Sequence, residues 1–293
     1  MIDLHTHSTA SDGSMSPKSL VALAEKIGLR AMALTDHDTV DGLGEAIAAA
    51  ESLEVELVPG IELSCALPGG TLHIVGLFVD HLDPGLSLRL ERVMRMRNER
   101  NPRLAKRLAE IGVPVTMEEA AAASGTDVVG RPHFAQVMIE KGYVADAGEA
   151  FTRYLGKDGL AHVEKERLNP DEAIALIAGA GGVPILAHPD QTKRTGDDLD
   201  ALVWELKEMG LMGIETFCSP YHTQMVHDYS ALAKRHGLLR SGGTDFHGAP
   251  KPKIKLGRGF GSLYVHDDIL EPIREAARSA KDCRSGKRAE DQN

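Results

Sequence analysis

Two histidines two residues apart, His5 and His7, stand in the segment DLHTHSTASDG (3–13), and Asp12 follows five positions after the second. Alternate side chains of a β-strand share a face, so both imidazoles can converge on one ion while Ile2, Leu4 and Thr6 turn toward a covering layer. Taken alone the pair would serve equally well as hydrogen-bonding groups, because short motifs recur by chance. The rest of the chain separates the two readings. Asp36 and His37 lie near the end of AMALTDHD, Glu62 in VELVPGIELSC, His73 within TLHIVGLFV, His188 at the end of VPILAHP, Glu215 in GIETF, and Asp245 and His247 in LLRSGGTDFHG. Six of the 13 histidines thus fall at matching points of successive strand-like segments. In α/β folds such points converge on one rim. Imidazole and carboxylate without thiolate suit Mn, Fe, Zn or similar ions, and this set exceeds what one tetrahedral ion uses, which implies two or three divalent ions. A carboxylate such as Glu62 can bridge two of them around a hydroxide generated near neutral pH, giving both a clamp and a nucleophile for a phosphoryl group.

The elements that must position these residues are legible from caps and periodicity. SPKSLVALAEKIG carries Ser16 as cap, Pro17 at the first helical position and Gly28 as stop. A helix around Leu43 to Ser52 follows the second strand, and a Pro68-Gly69-Gly70 turn joins the third and fourth strands as a hairpin with no helix between them. Strand and helix then alternate again from Asn169, with helices at Asp198 to Met209, Gln224 to His236 and about Asp268 to Ala280. Trp204 with Leu202, Leu206 and Met209 reads as the core-facing stripe of one of them. Seven strands in this order suit an irregular α/β barrel. The expected organisation is a discontinuous barrel from 1–83 and 167–280, an inserted helical subdomain at 84–166, and a flexible tail at 281–293.

Composition limits the alternatives. With 33 Lys+Arg against 43 Asp+Glu the net charge is -10, which argues against a surface that coats nucleic acid generally. Three cysteines, Cys65, Cys218 and Cys283, show no metal-binding spacing and no disulfide framework. The first strand begins at the second residue, leaving no room for a signal peptide, and the longest uncharged run, 173–187, is broken by glycines and a proline. A cytoplasmic enzyme with no membrane association and no obligatory protein partner is expected.

The segments DLHTHSTASDG, ALTDHD, GIELS, LHIVG, AHP and SGGTDFHG, in that order, resemble the PHP (polymerase and histidinol phosphatase) family of metallo-phosphoesterases over nearly the whole chain, to about residue 280. The resemblance implies a distorted seven-stranded (βα) barrel, the PHP fold, with a trinuclear site. His5, His7, Glu62 and Asp245 would hold the first ion, Glu62, His73 and His188 the second, and Asp12, His37 and His247 the third. Manganese is the expected metal, with Fe, Zn or Mg as alternatives. Many relatives have histidine where this chain has Asp12, and aspartate there is similar to the subgroup that carries a helical insertion and acts on nucleotides. Asp190, directly after AHP, departs from the glycine common in the family.

The insertion is the expected recognition element. From Arg89 to Arg107 there are eight basic and two acidic residues in an otherwise acidic chain. Arg97 and Arg100 lie one helical turn apart, and guanidinium forks suit phosphate oxygens. A solvated helix face would carry the same charges. By the resemblance, Arg97, Arg100 and His133 match positions that contact nucleotide, and Asp12 stands beside them at the substrate. The activity implied is removal of the 3'-phosphate from nucleoside 3',5'-bisphosphates such as pAp, with His188, His133 or water delivering the proton to the leaving oxygen. A 5' to 3' exoribonuclease using the same cluster is the alternative. Histidinol-phosphate phosphatase and a non-catalytic metal-stabilised binding module are lesser ones. An amidohydrolase would call for a lysine at a strand end, and none stands there.

Overall fold

The structure is a computed structural model that describes residues 1–124, 129–163 and 167–290, excepting the side chains of 94–99 and 283–290. Two compact units result, Met1–Leu88 with Arg167–Asn293, and Arg89–Glu166.

In the first unit β1 (Ile2–Asp3), α1 (Pro17–Lys26), β2 (Ala31–Leu34), α2 (Leu43–Ala50), β3 (Glu56–Cys65) and β4 (Leu72–Leu77) lead to α3 (Pro84–Glu110), which passes into the second unit. Ser16 accepts from the Ser19 amide at the start of α1, Pro17 lies in its first turn, and Gly28 ends it at a positive φ, as the sequence reading requires. The second unit continues with α4 (Met117–Ser124), α5 (Arg131–Glu140) and α6 (Ala147–Ala150), the last running into a π-helical turn at Phe151–Leu155. Its own core is built on Leu104, Leu108, Phe134, Met138 and Leu155. Among its described residues there is no strand, and α3 continues through Pro102 as one helix. After it come α7 (Pro170–Gly179), β5 (Val183–Leu186), α8 (Gly196–Glu208), β6 (Gly213–Cys218), α9 (Thr223–Arg235), β7 (Leu239–Gly243) and α10 (Leu270–Glu290).

The seven strands form one sheet in sequence order. β1, β2 and β3 run parallel, as do β5, β6 and β7, whereas β4 is antiparallel to both β3 and β5. The loss of a helix after β3 forces this reversal: a short turn can join only antiparallel neighbours. Beyond β1 the chain meets β7, where the Leu4 amide donates to the Gly242 carbonyl at 3.0 Å and the Asp245 amide to the His5 carbonyl at 3.0 Å, so the sheet is a nearly closed barrel. Ile2, Val58, Val75 and Ile185 fill its core together with Ile273 and Ala277 of α10. No helix among the described residues is long and apolar enough to cross a membrane.

Two details differ from the sequence reading. On α8 the buried residues are Leu199, Val203 and Leu206, while Trp204 and Met209 face outward. The spacings of four and three select that stripe, and hydrophobicity alone misplaced the tryptophan. At the chain's end α10 stays helical to Glu290, ten residues past the expected Ala280.

Candidate metal centre

Glu62 occupies the middle of the barrel rim, fully buried, with five imidazoles around it. Its Oε1 lies 2.8 Å from His73 Nδ1 and 2.8 Å from His188 Nε2, and its Oε2 lies 3.0 Å from His37 Nδ1, 3.2 Å from His5 Nε2 and 3.3 Å from His7 Nε2. Strand register explains the meeting. Glu62 pairs with Val75 across the antiparallel β3–β4 ladder, so His73, two residues from Val75, shares its face. Because β4 is reversed, its first residues stand at the same rim as the last residues of the parallel strands. A parallel bridge between His37 and Glu62 extends the β2–β3 pairing to that rim.

Asp245 and Asp12 complete the cluster. Asp245 Oδ1 stands 3.3 Å from His7 Nε2 and 3.7 Å from His5 Nε2, and its Oδ2 pairs with Lys251 Nζ at 2.5 Å. Asp12 Oδ1 lies 3.3 Å from His247 Nε2, and its side chain is the most open of the carboxylates, at 31% exposure. His5 and His7 do share a face, with ring centroids 5.2 Å apart, although the regular strand is only Ile2–Asp3 and contact is regained at Thr6 with Phe246.

The backbone that aims these groups is unusual. His188 and Asp245 have positive φ, 26° and 56°, a conformation costly for residues with a Cβ that occurs where surrounding structure over-determines it. Gly243 allows β7 to pass His5, since a Cβ there would stand 2.4 Å from the His5 Cβ. One supporting carboxylate, Asp3, was not singled out by sequence reasoning. Asp3 accepts from the Thr244 amide at 2.8 Å, the Thr244 hydroxyl at 2.6 Å and the Gly257 amide at 2.9 Å, locking β1 to the end of β7. Burial pushes its carboxyl up to about 6 against those donors. Its signal was present, because alternation places Asp3 on the face of His5 and His7. Asp36 accepts from the Ser8 amide at 2.8 Å, the Ser8 hydroxyl at 2.7 Å and the Ser11 hydroxyl at 2.6 Å, and so shapes the loop that carries Asp12. Glu215 Oε1 lies 3.0 Å from His5 Nδ1, and Glu215 Oε2 accepts from the His188 amide at 2.8 Å.

Charge and unpaired atoms both point to cations. His5 Nε2, both nitrogens of His7, His37 Nδ1, His188 Nδ1 and Glu62 Oε2 are buried and lack a partner with hydrogen-bond geometry. Buried polar atoms without partners are costly and rare, and lone pairs converging on a common centre are what divalent ions satisfy. Although burial opposes charge, the surrounding imidazoles hold Glu62 and Asp245 well below the usual carboxylate range, and His37 and His247 do the same for Asp12. Burial likewise opposes charge on His7, yet the facing carboxylates of Asp245 and Glu62 raise it to about 9; for His73, burial prevails and lowers it to about 4. Protons on His7 thus stand where metal charge would.

Side chains able to share one ion fall into four groups: His7, Asp12, His37 and His247; His5, His7 and Asp245; His5, Glu62 and His188; and His37, Glu62 and His73. All nine residues expected as ligands are therefore brought together. The grouping differs in detail from the resemblance, since Glu62 stands with His5 and His188 on one side and with His37 and His73 on the other. Of the expected substrate residues, Arg97, Arg100 and His133 belong to the helical unit and Asp12 to the barrel unit. Arg100 is buried, with its Nη2 donating to Asn101 Oδ1 at 2.8 Å, and His133 Nδ1 accepts from the Gly130 amide at 2.9 Å at the start of α5. The side chain of Arg97 lies outside the described residues.

Residues 3–208 match the PHP domain family, and the chain belongs to it. It is a metal-dependent phosphoesterase of that family. The chain is 36% identical to a 5'-3' exoribonuclease of Haemophilus influenzae over 93% of its own length and 97% of that protein's. It is also 32% identical to a 3',5'-nucleoside bisphosphate phosphatase of Chromobacterium violaceum, covering 93% of each. Among solved structures it is similar, with a TM-score of 0.82 and 30% identity, to a protein from Chromobacterium violaceum described as an amidohydrolase with bound sulfate and no metal, covering 95% of this chain and 96% of that one.

Proposed function

We propose that this chain removes the 3'-phosphate from nucleoside 3',5'-bisphosphates of the pAp type. His5, His7, Asp12, His37, Glu62, His73, His188, Asp245 and His247 hold two or three divalent ions, manganese first among them. The observation that carries this reading is Glu62, a buried carboxylate facing five imidazoles, several with lone pairs committed to nothing else. Ions bound there supply an acidified water and neutralise phosphoryl charge. The protein's own groups do the rest. Glu62 keeps the ligand imidazoles in register, Asp12 stands at the open side where a phosphate can approach, and Arg97, Arg100 and His133 fix the nucleotide by charge-assisted hydrogen bonds. Proton delivery at the leaving oxygen falls to His188, His133 or water. The named phosphatase relative, matched across 93% of both chains, supports this choice of substrate.

A second reading, stepwise 5' to 3' hydrolysis of short 5'-phosphorylated RNA, is favoured by the exoribonuclease relative at 36% identity. The deciding experiment incubates manganese-loaded protein with pAp and, separately, with a 5'-phosphorylated RNA oligomer, following free phosphate and mononucleotide. Phosphate from pAp that vanishes with chelator and with Asp12→Ala supports the first reading. Mononucleotide without phosphate supports the second, and neither product defeats both.

A further inference from the structure

The segment that follows the metal-site strand runs from Ala249 to Val265 with four cations, Lys251, Lys253, Lys255 and Arg258, and no acid, in a chain of net charge -10. Lys251 ties the start of the segment to the candidate centre through Asp245. Lys253, Lys255 and Arg258 are exposed, and no carboxylate among the described residues forms an ion pair with them. The path is held in place. The Lys255 and Gly259 amides each donate to the other's carbonyl at 2.8 Å, Gly257 and Gly259 take positive φ, the Gly257 amide reaches Asp3, and Val265 pairs with Ile2. Three lysines alternate with Pro252 and Ile254, and those two residues line a cavity of about 420 Å³ with Leu23, Ile27 and Phe246. Further along, Phe260 and Tyr264 are 58% and 54% exposed. The run ends at Asp267, whose carboxylate is already paired with the Met1 amino group and with Arg30.

We infer that this strip binds single-stranded nucleic acid, seating the chain that extends from a terminal nucleotide held at the metal centre. The inference rests on the phosphoesterase reading only for where that terminal nucleotide lies. Unpaired cations along a fixed backbone match a polyanion, and exposed aromatic rings with an adjoining apolar hollow accept unstacked bases of any sequence. Proline and glycine hold the strip in fixed turns without a helix or strand of its own, so binding needs little ordering of the protein. The strip gives an oligonucleotide, the ligand of the second reading, a seat beyond its terminal nucleotide.

The test uses full-length protein treated with chelator, so that cleavage is absent and failure of the catalytic reading leaves the result untouched. Fluorescence anisotropy follows 5'-phosphorylated, dye-labelled oligouridylates of increasing length. Affinity should rise with length and fall with salt. The double variant Lys253→Glu/Lys255→Glu should bind the long oligomer at least about tenfold more weakly, and its salt slope should shrink by about 1.4, the share of two phosphate contacts on a single strand. Phe260→Ala should cost about tenfold without changing the slope. The matched charge reversal Lys207→Glu/Lys234→Glu, on α8 and α9, should bind as the parent does. Parent-like binding by the strip variant, or an equal loss in the control, overturns the proposal. Circular dichroism and melting of each variant separate lost contacts from lost fold: a strip variant that melts as the parent does and has lost binding supports the strip, and parent-like affinity after Phe260→Ala counts against it.

Discussion

Glu215 Oε1 stands 3.0 Å from His5 Nδ1, and the same carboxylate takes the His188 amide on its other oxygen at 2.8 Å. One buried side chain on β6 thus fixes the ring of one candidate ligand and the left-handed backbone of another. A carboxylate outside a metal ligand sets the tautomer, so that Nε2 of His5 is left to face the centre, and raises its basicity.

Glu215→Gln therefore should not be a mild change. A carboxamide has one acceptor end, so it can serve His5 or the His188 amide but not both. Metal affinity should fall about 10- to 100-fold, with kcat reduced more than KM is raised. Chelator-competition titration together with steady-state kinetics checks this, and parent-like metal affinity would refute it.

Asp36 gathers three donors from Ser8 and Ser11 and holds the loop of Asp12. In Asp36→Ala the buried Ser8 amide loses its acceptor, which should cost about 1–3 kcal/mol in a denaturant titration. Misplacing Asp12 by even an ångström should lower kcat/KM about 100-fold. Ser11→Ala removes one donor only and should show a smaller loss in both measurements.

Metal-free protein should be more stable at pH 6.5 than at pH 9. His7 is raised to about 9, and His5 and His188 are also raised, by the carboxylates they face despite burial. A raised histidine contributes stability that is complete below its unfolded value near 6.5 and is lost as pH climbs through its folded value. Metal loading needs those rings deprotonated, so apparent metal affinity should rise over the same interval. Thermal melts with and without manganese across this range should diverge, and a metal-free melting point that rises from pH 6.5 to 9 would contradict the assignment.

Arg97→Ala and Arg100→Ala should raise KM for pAp by about tenfold or more, the cost of a lost charge-assisted hydrogen bond. Hydrolysis of p-nitrophenyl phosphate, which has no nucleotide to grip, should change far less. Equal losses on both substrates would move these arginines from recognition to stability, a role already visible in the contact of buried Arg100 with Asn101.

Local chemistry made much of the site readable before any coordinates. Ser16 and Pro17, Asn169 with Pro170, and the turn at Gly69 mark element ends by rules that act over a few residues, and the structure keeps them. Most of the nine candidate ligands stand near the ends of apolar runs, whereas His73 lies within one and Asp12, in a polar loop, was assigned by the family resemblance. Outward-facing Trp204 was misread, since its side of α8 is decided by what packs on Leu199, Val203 and Leu206.

By itself the sequence determined which residue types are available and at what phase of each strand they stand: DLHTH commits two imidazoles to one face, and GIE commits a carboxylate to one face of its strand. Only the tertiary structure decided that Glu62 is the member shared by five rings, that Glu215 serves His5 and His188 together, and that Asp36 serves the Asp12 loop. The reason is distance along the chain. Glu62 and His188 are 126 positions apart and meet at 2.8 Å, and such pairings follow from barrel closure and strand register, which no local pattern encodes.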